Sequence, residues 1–417
     1  MPLLRNWRKK RVTKSNDKKV PALRFKGFTD DWEQRKLEDV AKIIGGGTPS
    51  TKIKEYWNGN INWYAPIEIG NQTFVSSSRK KISELGLKKS SAKLLPGGKT
   101  ILFTSRAGIG DMAIMKTDGS TNQGFQSWVV RSNLADVYFL YSLGKKLKKQ
   151  ALRKASGSTF LEISNSEVKK LLLFIPSFSE QKDISKVFKL IDKLISLQQR
   201  KLEQLKLLKR MISLSIYPNF NDRIPIKFNL NSTWNKKKLK NITNYKNGTT
   251  HEQHQLLKGK FELINLNSIS KEGRLKSSGK YINQQFPTLR KNDIVMILSD
   301  IAHGQLIGTS AVIPTNNKYI LNQRVASLSP NENLNAVFIS KYINLKQRYF
   351  KKMAAGMSQI NLSKKDVEDF KLWVPNFKEQ TKIANLLINF DLIEKNKNKK
   401  ISYLLNLKKF LLQSLFL

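Results

Sequence analysis

The sequence of 417 residues contains no cysteine. Disulfides, thiolate nucleophiles and cysteine-based zinc sites are therefore excluded, and the absence is consistent with a cytoplasmic protein. Acidic residues are also scarce, because 31 Asp and Glu stand against 75 Lys and Arg, which gives a formal net charge of +44. Only a large polyanion would usefully neutralise so much like charge, so nucleic acid is the predicted class of partner.

Long apolar runs are missing as well. The longest purely apolar stretches, such as 171–175, fall far short of the ~20 residues that cross a bilayer. Residues 1–20 are basic and contain no apolar stretch of signal-peptide length, so we interpret them as a solvated N-terminal arm and expect no export. Because basic amphipathic helices occur in the chain, binding to an anionic membrane surface remains an open alternative.

Catalytic motifs are equally scarce. The sequence has no Asp/Asn-Pro-Pro-aromatic stretch of an amino-methyltransferase and no glycine-rich loop between a strand and a helix. Gly108-Ile-Gly110 lacks a third glycine and is interpreted as a turn, and Glu180-Gln-Lys182, which mimics the Glu-x-Lys of metal nucleases, is better explained as a helix start. His251 and His254 offer two imidazoles, too few for a zinc site. We therefore predict a binding protein with no catalytic residue, metal or cofactor in this chain.

The sequence repeats itself at an offset near 200 residues, which indicates two copies of one plan, 21–217 and 224–417. The two ends of the copies match closely, whereas their middles have diverged. The matching segments are 176–181 with 375–380, Asp192 with Asp391, Trp32 with Trp234, and Asn122-Gln123 with Asn322-Gln323.

A seven-residue pattern follows each Pro-x-Phe-x-Glu-Gln segment. In alternating steps of four and three, eight of ten positions from Ile184 to Ile216 are apolar, and seven of ten from Ile383 to Leu415. A sustained period of seven with Lys and Glu outside it predicts two long helices that pair as an antiparallel coiled coil.

Between these frames, each half has about 150 residues of short alternating apolar runs separated by turns, which is typical of an α+β globule. We therefore predict two tandem globules, each followed by a long helix, with pseudo-two-fold symmetry. The predicted parts are a basic arm (1–20), a first globule (21–178), a first spacer helix (179–217), a linker (218–223), a second globule (224–377) and a second spacer helix (378–417).

Polar segments in each globule are candidate nucleic-acid contacts. The segment 45–52 combines glycines, which let a backbone approach a phosphate, with Thr, Ser and Lys donors. Arg106 and the amides of 122–126 are types that pair with guanine and adenine edges. The Asn-Gln pairs that match between the halves could equally hold a turn, and we interpret Trp57 and Trp63 as core residues. The candidate DNA-binding residues are Gly47, Thr48, Ser50, Thr51, Lys52, Ser105, Arg106, Asn122, Gln123, Gln126, Asn247, Thr249, Thr250, Ser299, His303, Gln305, Asn322, Gln323 and Arg324.

This tandem of divergent globules, each followed by a long helix with a Pro-x-x-x-Glu-Gln lead-in, resembles the specificity (S) subunit of type I restriction-modification systems. Gly46-Gly47-Thr48-Pro49-Ser50, Tyr56-Trp57 and Ile61-Asn-Trp63 look like the opening of a target recognition domain in that family. The second globule departs from this pattern, because it keeps only Asn247-Gly-Thr249-Thr250 of these elements.

The resemblance implies that 21–178 and 224–377 are target recognition domains, each reading one half of a split DNA sequence, and that the helices set their separation. It also implies that the chain itself has no catalytic activity. The chain would recruit two modification subunits, which bind S-adenosylmethionine, and restriction subunits that translocate and cut DNA with ATP and Mg.

An approximate two-fold would make the helices antiparallel, with one globule at each end. About 36 helical residues span roughly 54 Å, and partial overlap of the globules would leave their centres about 34 Å apart, one turn of DNA. We therefore predict two half-sites with an unread gap and, since the middles differ, a target that is not palindromic. The candidate contacts to modification subunits are the apolar residues beside the helix seams, Leu197, Leu207, Leu392 and Leu405.

A second hypothesis is a structural protein that bridges DNA or RNA without reading its sequence. This hypothesis explains the charge but gives no reason for the divergent middles.

Overall fold

The computed structural model describes residues 7–9, 20–70, 72–157, 161–217, 233–300, 304–355 and 360–416. The chain divides into two compact units. Unit 1 comprises Met1–Gln199 with Lys400–Leu417, and unit 2 comprises Arg200–Lys399. Each unit is a mixed α/β globule that also contains a segment of each long helix, which confirms the predicted fold class.

Unit 1 contains twelve strands in its described residues. Their bounds are β1 Trp7–Lys9, β2 Leu23–Phe25, β3 Glu33–Lys36, β4 Ala41–Gly45, β5 Trp57–Tyr64, β6 Phe74–Val75, β7 Lys80–Ile82, β8 Thr100–Phe103, β9 Met112–Met115, β10 Gly119–Thr121, β11 Gln126–Val130 and β12 Leu172–Ile175. Its helices are α1 Leu37–Val40, α2 Glu84–Lys88, α3 Val137–Ser142, α4 Gly144–Lys154, α5 Asn165–Lys169 and the start of α6, Phe178–Ile216.

Two sheets form the body of unit 1. The larger has the strand order β4-β11-β8-β9-β6 and the smaller β10-β5-β7, while β12 pairs with β3 and β1 with β2. The β1 strand is the part of the predicted basic arm that the structure describes, so that part is a strand paired with Leu23–Phe25.

The strands β8 and β9 are apolar on both faces because both faces of the larger sheet are covered. Ile101, Phe103 and Ile114 pack in the core under the helices. Leu102 and Met115, which alternate with them, pack toward Tyr64 of the smaller sheet in a second core. This burial on two sides explains short runs in which every residue is apolar.

Unit 2 repeats this architecture. Its strands are β13 Asn235–Lys238, β14 Thr243–Asn247, β15 Phe261–Ile264, β16 Tyr281–Ile282, β17 Ile294–Ile297, β18 Ser299–Asp300, β19 Ser310–Val312, β20 Tyr319–Leu321, β21 Val325–Pro330, β22 Ile360–Asn361 and β23 Lys371–Val374. Its helices are α7 Ala336–Leu345, α8 Gln347–Met353, α9 Lys364–Glu368 and most of α10, Phe377–Ser414.

The sheet orders β14-β21-β17-β19, β16-β15-β20 and β13-β23 correspond to those of unit 1, except that the larger sheet lacks a counterpart of β6. In the two smaller sheets, the pairs β10–β5 and β20–β15 are parallel, while β5–β7 and β15–β16 are antiparallel. The two halves therefore share one topology even where their sequences no longer match.

The helical regions 137–154 and 336–353 are each divided into two helices. In unit 1 the break lies at Leu143, which ends α3 and begins α4. A Cβ on Gly144 would lie 2.8 Å from the Met112 sulfur, so the chain approaches the sheet closely at that point. In unit 2 the break lies at Lys346.

The Glu-Gln segments begin the long helices, as predicted, through side-chain contacts. The Gln181 amide donates to the Pro176 carbonyl at 3.0 Å, and its oxygen accepts from the backbone N–H of Asp136 at 3.0 Å. Gln380 makes the equivalent bonds to Pro375 and Asn335 at 2.9 Å each. Each glutamine thus ties a long helix to the start of a shorter one.

In unit 1, heptad residues of α6 and α10, such as Ile191 and Leu404, lie in one hydrophobic core. Phe188 of α6 stacks on Phe416, which follows the end of α10, with ring centroids 5.8 Å apart. Asp192, next to a heptad position, accepts from Lys408 at 2.5 Å. The residue number rises along α6 as it falls along α10, so these segments run antiparallel.

In unit 2, Lys209 of α6 donates to Asp391 of α10 at 2.5 Å. The heptad positions of both helices are buried or half-buried throughout their described length. None of the helices in the described part of the chain combines the length and apolar character that a bilayer-spanning segment needs.

Candidate nucleic-acid interface

In unit 1, the loop after β4 is held against the turn between β10 and β11. The Gly46 N–H donates to the Phe125 carbonyl at 3.3 Å, and the Gly47 N–H donates to the Thr121 carbonyl at 2.9 Å. A Cβ on Gly46 would lie 1.8 Å from the Asn122 carbonyl oxygen, and one on Gly47 2.3 Å from the Ala92 nitrogen. Both glycines are therefore required by packing within the protein.

The position of Gly47 does not agree with the prediction that its backbone approaches a phosphate. It is buried, its N–H is bonded to Thr121, and its carbonyl accepts from the Trp63 indole N–H at 2.8 Å. Its backbone thus has no free donor for a phosphate. Trp63 is a buried residue and Trp57, whose ring meets it edge-on at 5.1 Å, is half-buried, in agreement with their interpretation as core residues.

The residues that follow Gly47 form the exposed rim of this loop. Thr48, Ser50, Thr51 and Lys52 are all exposed. The Ser50 carbonyl accepts from the Trp57 indole N–H at 3.0 Å, and the Thr48 hydroxyl donates to the Gln123 side chain. The loop is therefore held to the globule by these bonds, while its hydroxyl and ammonium groups face solvent.

The two predicted amides of the Asn122-Gln123 pair have different roles. The Asn122 side chain accepts from the Gly124 N–H at 2.8 Å and so holds the turn. Gln123 is exposed, and its side chain accepts a hydrogen bond from the Thr48 hydroxyl. Gln126, which is half-buried, accepts from the Asn165 amide at 2.7 Å.

Ser105 and Arg106 are neighbours with opposite exposure. Ser105 is fully buried, its N–H donates to the Gly124 carbonyl at 2.8 Å, and its hydroxyl lies 3.3 Å from Glu162. The prediction that Ser105 contacts DNA does not fit this burial, because the side chain lies inside the protein, two residues after the end of β8. Arg106 is half-buried and precedes Ala107, whose φ is +51°.

Unit 2 builds the same loop and turn from fewer matching residues. The Gly248 N–H donates to the Val325 carbonyl at 3.0 Å, and a Cβ on Gly248 would lie 1.9 Å from the Asn322 carbonyl oxygen. Gly248 is thus the counterpart of Gly46. The neighbouring candidates Asn247, Thr249 and Thr250 are exposed.

The second Asn-Gln pair divides its roles as the first one does. Asn322 is buried and accepts from the His251 N–H at 3.1 Å, so it is structural. Gln323 is half-exposed and donates to Glu252 at 2.6 Å. The Asn122 side chain thus holds its own turn, whereas that of Asn322 joins the turn to the loop after β14, and in both units the Gln bonds to that preceding loop.

The remaining candidates of unit 2 differ in exposure. Ser299 is buried in β18, so its prediction as a DNA contact does not fit its position in the structure. Gln305 is exposed and accepts from Lys271 at 2.7 Å. Arg324 is half-buried with a φ of +69°. His303 lies outside the described residues.

The motifs excluded from catalysis have structural roles. Gly108 and Gly110 have φ values of +106° and +84° and form a turn. Burial lowers the pKa of His251, as does the nearby His254, and the His251 ring packs on Phe286 at 4.4 Å. Among the described residues, no group of three or more His, Asp or Glu is arranged to hold a metal ion.

Sequence reasoning did not identify an ionic cluster inside unit 2. Asp391 accepts from Lys209 at 2.5 Å and from Lys341 at 2.6 Å, and Arg274 bonds to Glu394 at 2.7 Å. Burial alone would raise the pKa of Asp391, but the charges of Lys341 and Lys209 outweigh burial and hold this pKa below its ordinary value.

The four leucines predicted to contact partners are exposed on the long helices. Leu197 and Leu405 belong to unit 1 with 42% and 48% of their surface exposed, and Leu207 and Leu392 belong to unit 2 with 60% and 53%. Each of these leucines therefore presents about half of its surface to solvent.

Comparison with known proteins identifies both halves of the repeat. The family model described as the type I restriction modification DNA specificity domain matches twice, at residues 29–207 and 231–403.

Curated relatives include the type I restriction enzyme MjaIX specificity subunit of Methanocaldococcus jannaschii, 35% identical over 241 residues, which covers 54% of this chain and 55% of that protein. The EcoprrI specificity subunit of Escherichia coli is 26% identical over 376 residues, covering 85% and 86%. The chain spans about half the length of the first of these relatives.

Among solved structures, the S subunit of a type I restriction-modification system from M. genitalium has a TM-score of 0.63 at 18% identity. The match covers 95% of this chain and 99% of that one. At this identity, the similarity establishes the fold.

Proposed function

Because this chain belongs to the family of the type I restriction modification DNA specificity domain, we propose that it is the DNA-recognition subunit of a type I restriction-modification complex. Each unit would read one half of a bipartite, asymmetric target. The proposed site of action is the cytoplasm, where such a complex meets DNA.

The observation that carries this proposal is the repeated interface. Both matched regions place a glycine against the carbonyl of the Asn in an Asn-Gln turn, Gly46 in unit 1 and Gly248 in unit 2. The exposed residues that follow differ, since Thr48 and Lys52 in one unit stand against Thr249 and Thr250 in the other. The same framework with two different sets of exposed side chains is what we expect if the two units recognise different DNA sequences.

Charge provides affinity, and the side chains of the turn provide selectivity. The net charge of +44 favours contact with many phosphates. Neutralising six to ten phosphates would reduce binding by roughly three to five decades between 50 and 200 mM salt. Amide and guanidinium groups beside the backbone contacts would then select base edges in the major groove.

In this proposal, the chain is not an enzyme and binds no cofactor itself. Methylation and cleavage would belong to modification subunits that bind S-adenosylmethionine and to restriction subunits that use ATP and Mg. We propose that two modification subunits bind the exposed leucines of the long helices, Leu197, Leu207, Leu392 and Leu405. The helices would also fix the gap between the half-sites.

The alternative, a bridging protein that does not read sequence, predicts a different outcome in a selection experiment. The complex of this chain with its modification subunits is incubated with a library of random duplexes, and bound DNA is sequenced at two salt concentrations. We expect two short, different motifs at a fixed spacing, together with steep salt dependence. Salt-dependent recovery of DNA without any enriched motif would support the bridging protein instead.

A further inference from the structure

Each unit presents one arginine beside its Asn-Gln turn, but from a different position in the chain. In unit 1 the Ser105 N–H donates to the Gly124 carbonyl at 2.8 Å. In unit 2 the Leu298 N–H donates to the Arg324 carbonyl at 2.9 Å. Because each of these bonds joins the end of a central strand to the third residue of the turn, Gly124 and Arg324 occupy equivalent places.

A second pair of bonds supports this equivalence. The Ser105 carbonyl accepts from the Ile163 N–H at 3.0 Å, and the Leu298 carbonyl accepts from the Leu362 N–H at 2.8 Å. Ile163 and Leu362 also correspond at the 199-residue offset of the repeat. Ser105 and Leu298 are therefore equivalent.

The arginines lie on opposite sides of this equivalent hydrogen bond. Arg106 follows Ser105, and its Nε lies 3.5 Å from where a Cβ on Gly124 would stand. The residue after Leu298 is the buried Ser299, whereas unit 2 has its arginine in the turn, at 324. Alignment of the two halves hides this relation, because it places Arg324 opposite a glycine.

In the described part of the chain, neither guanidinium donates a hydrogen bond to another protein group. Three other arginines are paired with carboxylates, Arg24 with Glu180, Arg35 with Glu33 and Arg274 with Glu394. No acid lies within ion-pairing distance of Arg106 or Arg324 in the described part of the chain, and both side chains are half-exposed.

Backbone strain marks the same places. Six non-glycine residues have a positive φ among those described, and four of them are asparagines, which tolerate this conformation. The other two are Ala107, next to Arg106, and Arg324 itself. Strain of this kind persists where function requires a residue that does not suit the backbone.

We propose that Arg106 and Arg324 are equivalent specificity residues, each reading a guanine in the half-site of its own unit. The inference rests on the proposed function and deepens it. A guanidinium can donate two bonds at once to the O6 and N7 of guanine, whereas a methionine side chain of similar length donates none.

The test compares Arg106→Met and Arg324→Met with Arg153→Met and Arg348→Met, which alter exposed arginines on α4 and α8. Each variant is assembled with its modification subunits, and binding is measured to the duplex that the wild-type complex selects. We expect each interface variant to bind roughly tenfold or more weakly and to lose preference for guanine at one position of one half-site. The control variants should keep the full motif.

The guanine is then replaced by 7-deazaguanine, which lacks the N7 acceptor. This change should weaken wild-type binding and have no further effect on the corresponding methionine variant, as expected when both changes remove the same bond. Additive losses, or methionine variants that keep the guanine preference, would overturn the inference.

Arg324→Gly separates a reading role from a structural one. Glycine relieves the positive φ, so the melting temperature should stay the same or rise while the guanine preference is lost. A lower melting temperature together with an intact motif would show that Arg324 supports the fold. A wild-type complex without any sequence preference would instead overturn the proposed function itself.

Discussion

The ionic cluster around Asp391 predicts that this carboxylate stabilises unit 2 more than any surface ion pair does. Asp391 accepts short bonds from Lys209 and Lys341, at 2.5 and 2.6 Å, and one fifth of its side chain is exposed. Asp391→Asn would leave these ammonium groups partly buried beside a neutral amide. Glu394 would compensate only in part, since its nearest contact to Lys209 is 3.5 Å.

Removing one partner of a buried ion pair costs roughly 3–5 kcal/mol. Because the site is partly exposed and Glu394 remains, we expect about 2–4 kcal/mol for Asp391→Asn. The matched control is Glu203→Gln, which breaks an exposed pair with Lys206 on α6 and should cost no more than about 0.5 kcal/mol.

Hydrogen exchange measures this loss within unit 2. A change of 2–4 kcal/mol corresponds to roughly 30- to 1000-fold faster exchange of the slowest amides in α7 and the adjacent part of α10. If Asp391→Asn accelerates exchange no more than Glu203→Gln does, the cluster does not stabilise the unit and the reasoning fails.

The lowered pKa of Asp391 adds a pH dependence with a defined sign. A carboxylate whose folded pKa is depressed contributes stability that is fully present above its ordinary pKa of 3.8 and is lost as the pH falls through the folded value. The difference in stability between the wild type and Asp391→Asn should therefore be constant near neutral pH and shrink below about pH 4. A difference that grows on acidification would contradict this sign.

Three further changes test the framework. Gly46→Ala and Gly248→Ala should each destabilise their unit by about 1–3 kcal/mol or more, because the new Cβ would overlap a backbone oxygen. The control Gly45→Ala should have little effect on stability, since the atom nearest to its new Cβ is 3.6 Å away. Thermal melting compares the three variants. Changing the four exposed helix leucines to Glu should abolish co-purification with modification subunits without lowering the melting temperature, and intact assembly would rule out this surface. Deletion of the heptad 201–207 should shift or abolish the selected spacing, and an unchanged gap would contradict the role of the helices as a spacer.

The frame of the fold could be predicted because it follows periodicity. The heptad positions from Ile184 and from Ile383 predict the buried sides of two helices, and these positions are buried or half-buried in the structure. The Glu-Gln segments predict helix starts for a physical reason that the structure bears out, since Gln181 and Gln380 bond to the preceding proline carbonyls.

The exposure of the interface residues, by contrast, could not be predicted from the sequence. Ser105 and Ser299 are residue types that often contact DNA, but both side chains are buried, Ser299 in β18 and Ser105 just after the end of β8. Gly47 has the residue type of a phosphate loop, yet the space around it is filled by the chain near Ala92. These outcomes depend on which strands become neighbours, which a local pattern does not contain.

Two ion pairs between the long helices involve residues that the repeat already matches. The repeat offset matches Asp192 with Asp391, and the heptad frame matches Lys209 with Lys408. The structure joins them crosswise, Lys408 to Asp192 in unit 1 and Lys209 to Asp391 in unit 2. The sequence contained both pairs, but the register that brings a lysine opposite an aspartate is set by helix packing.

The central claim is that this chain gives a modification complex its DNA sequence. The most direct measurement is methylome sequencing of a cell that expresses the chain with its modification subunits, compared with a strain that lacks only this chain. The account predicts one new methylated motif made of two different parts separated by a fixed gap. The absence of any new motif, in cells where the same modification subunits methylate DNA with another specificity chain, would contradict it.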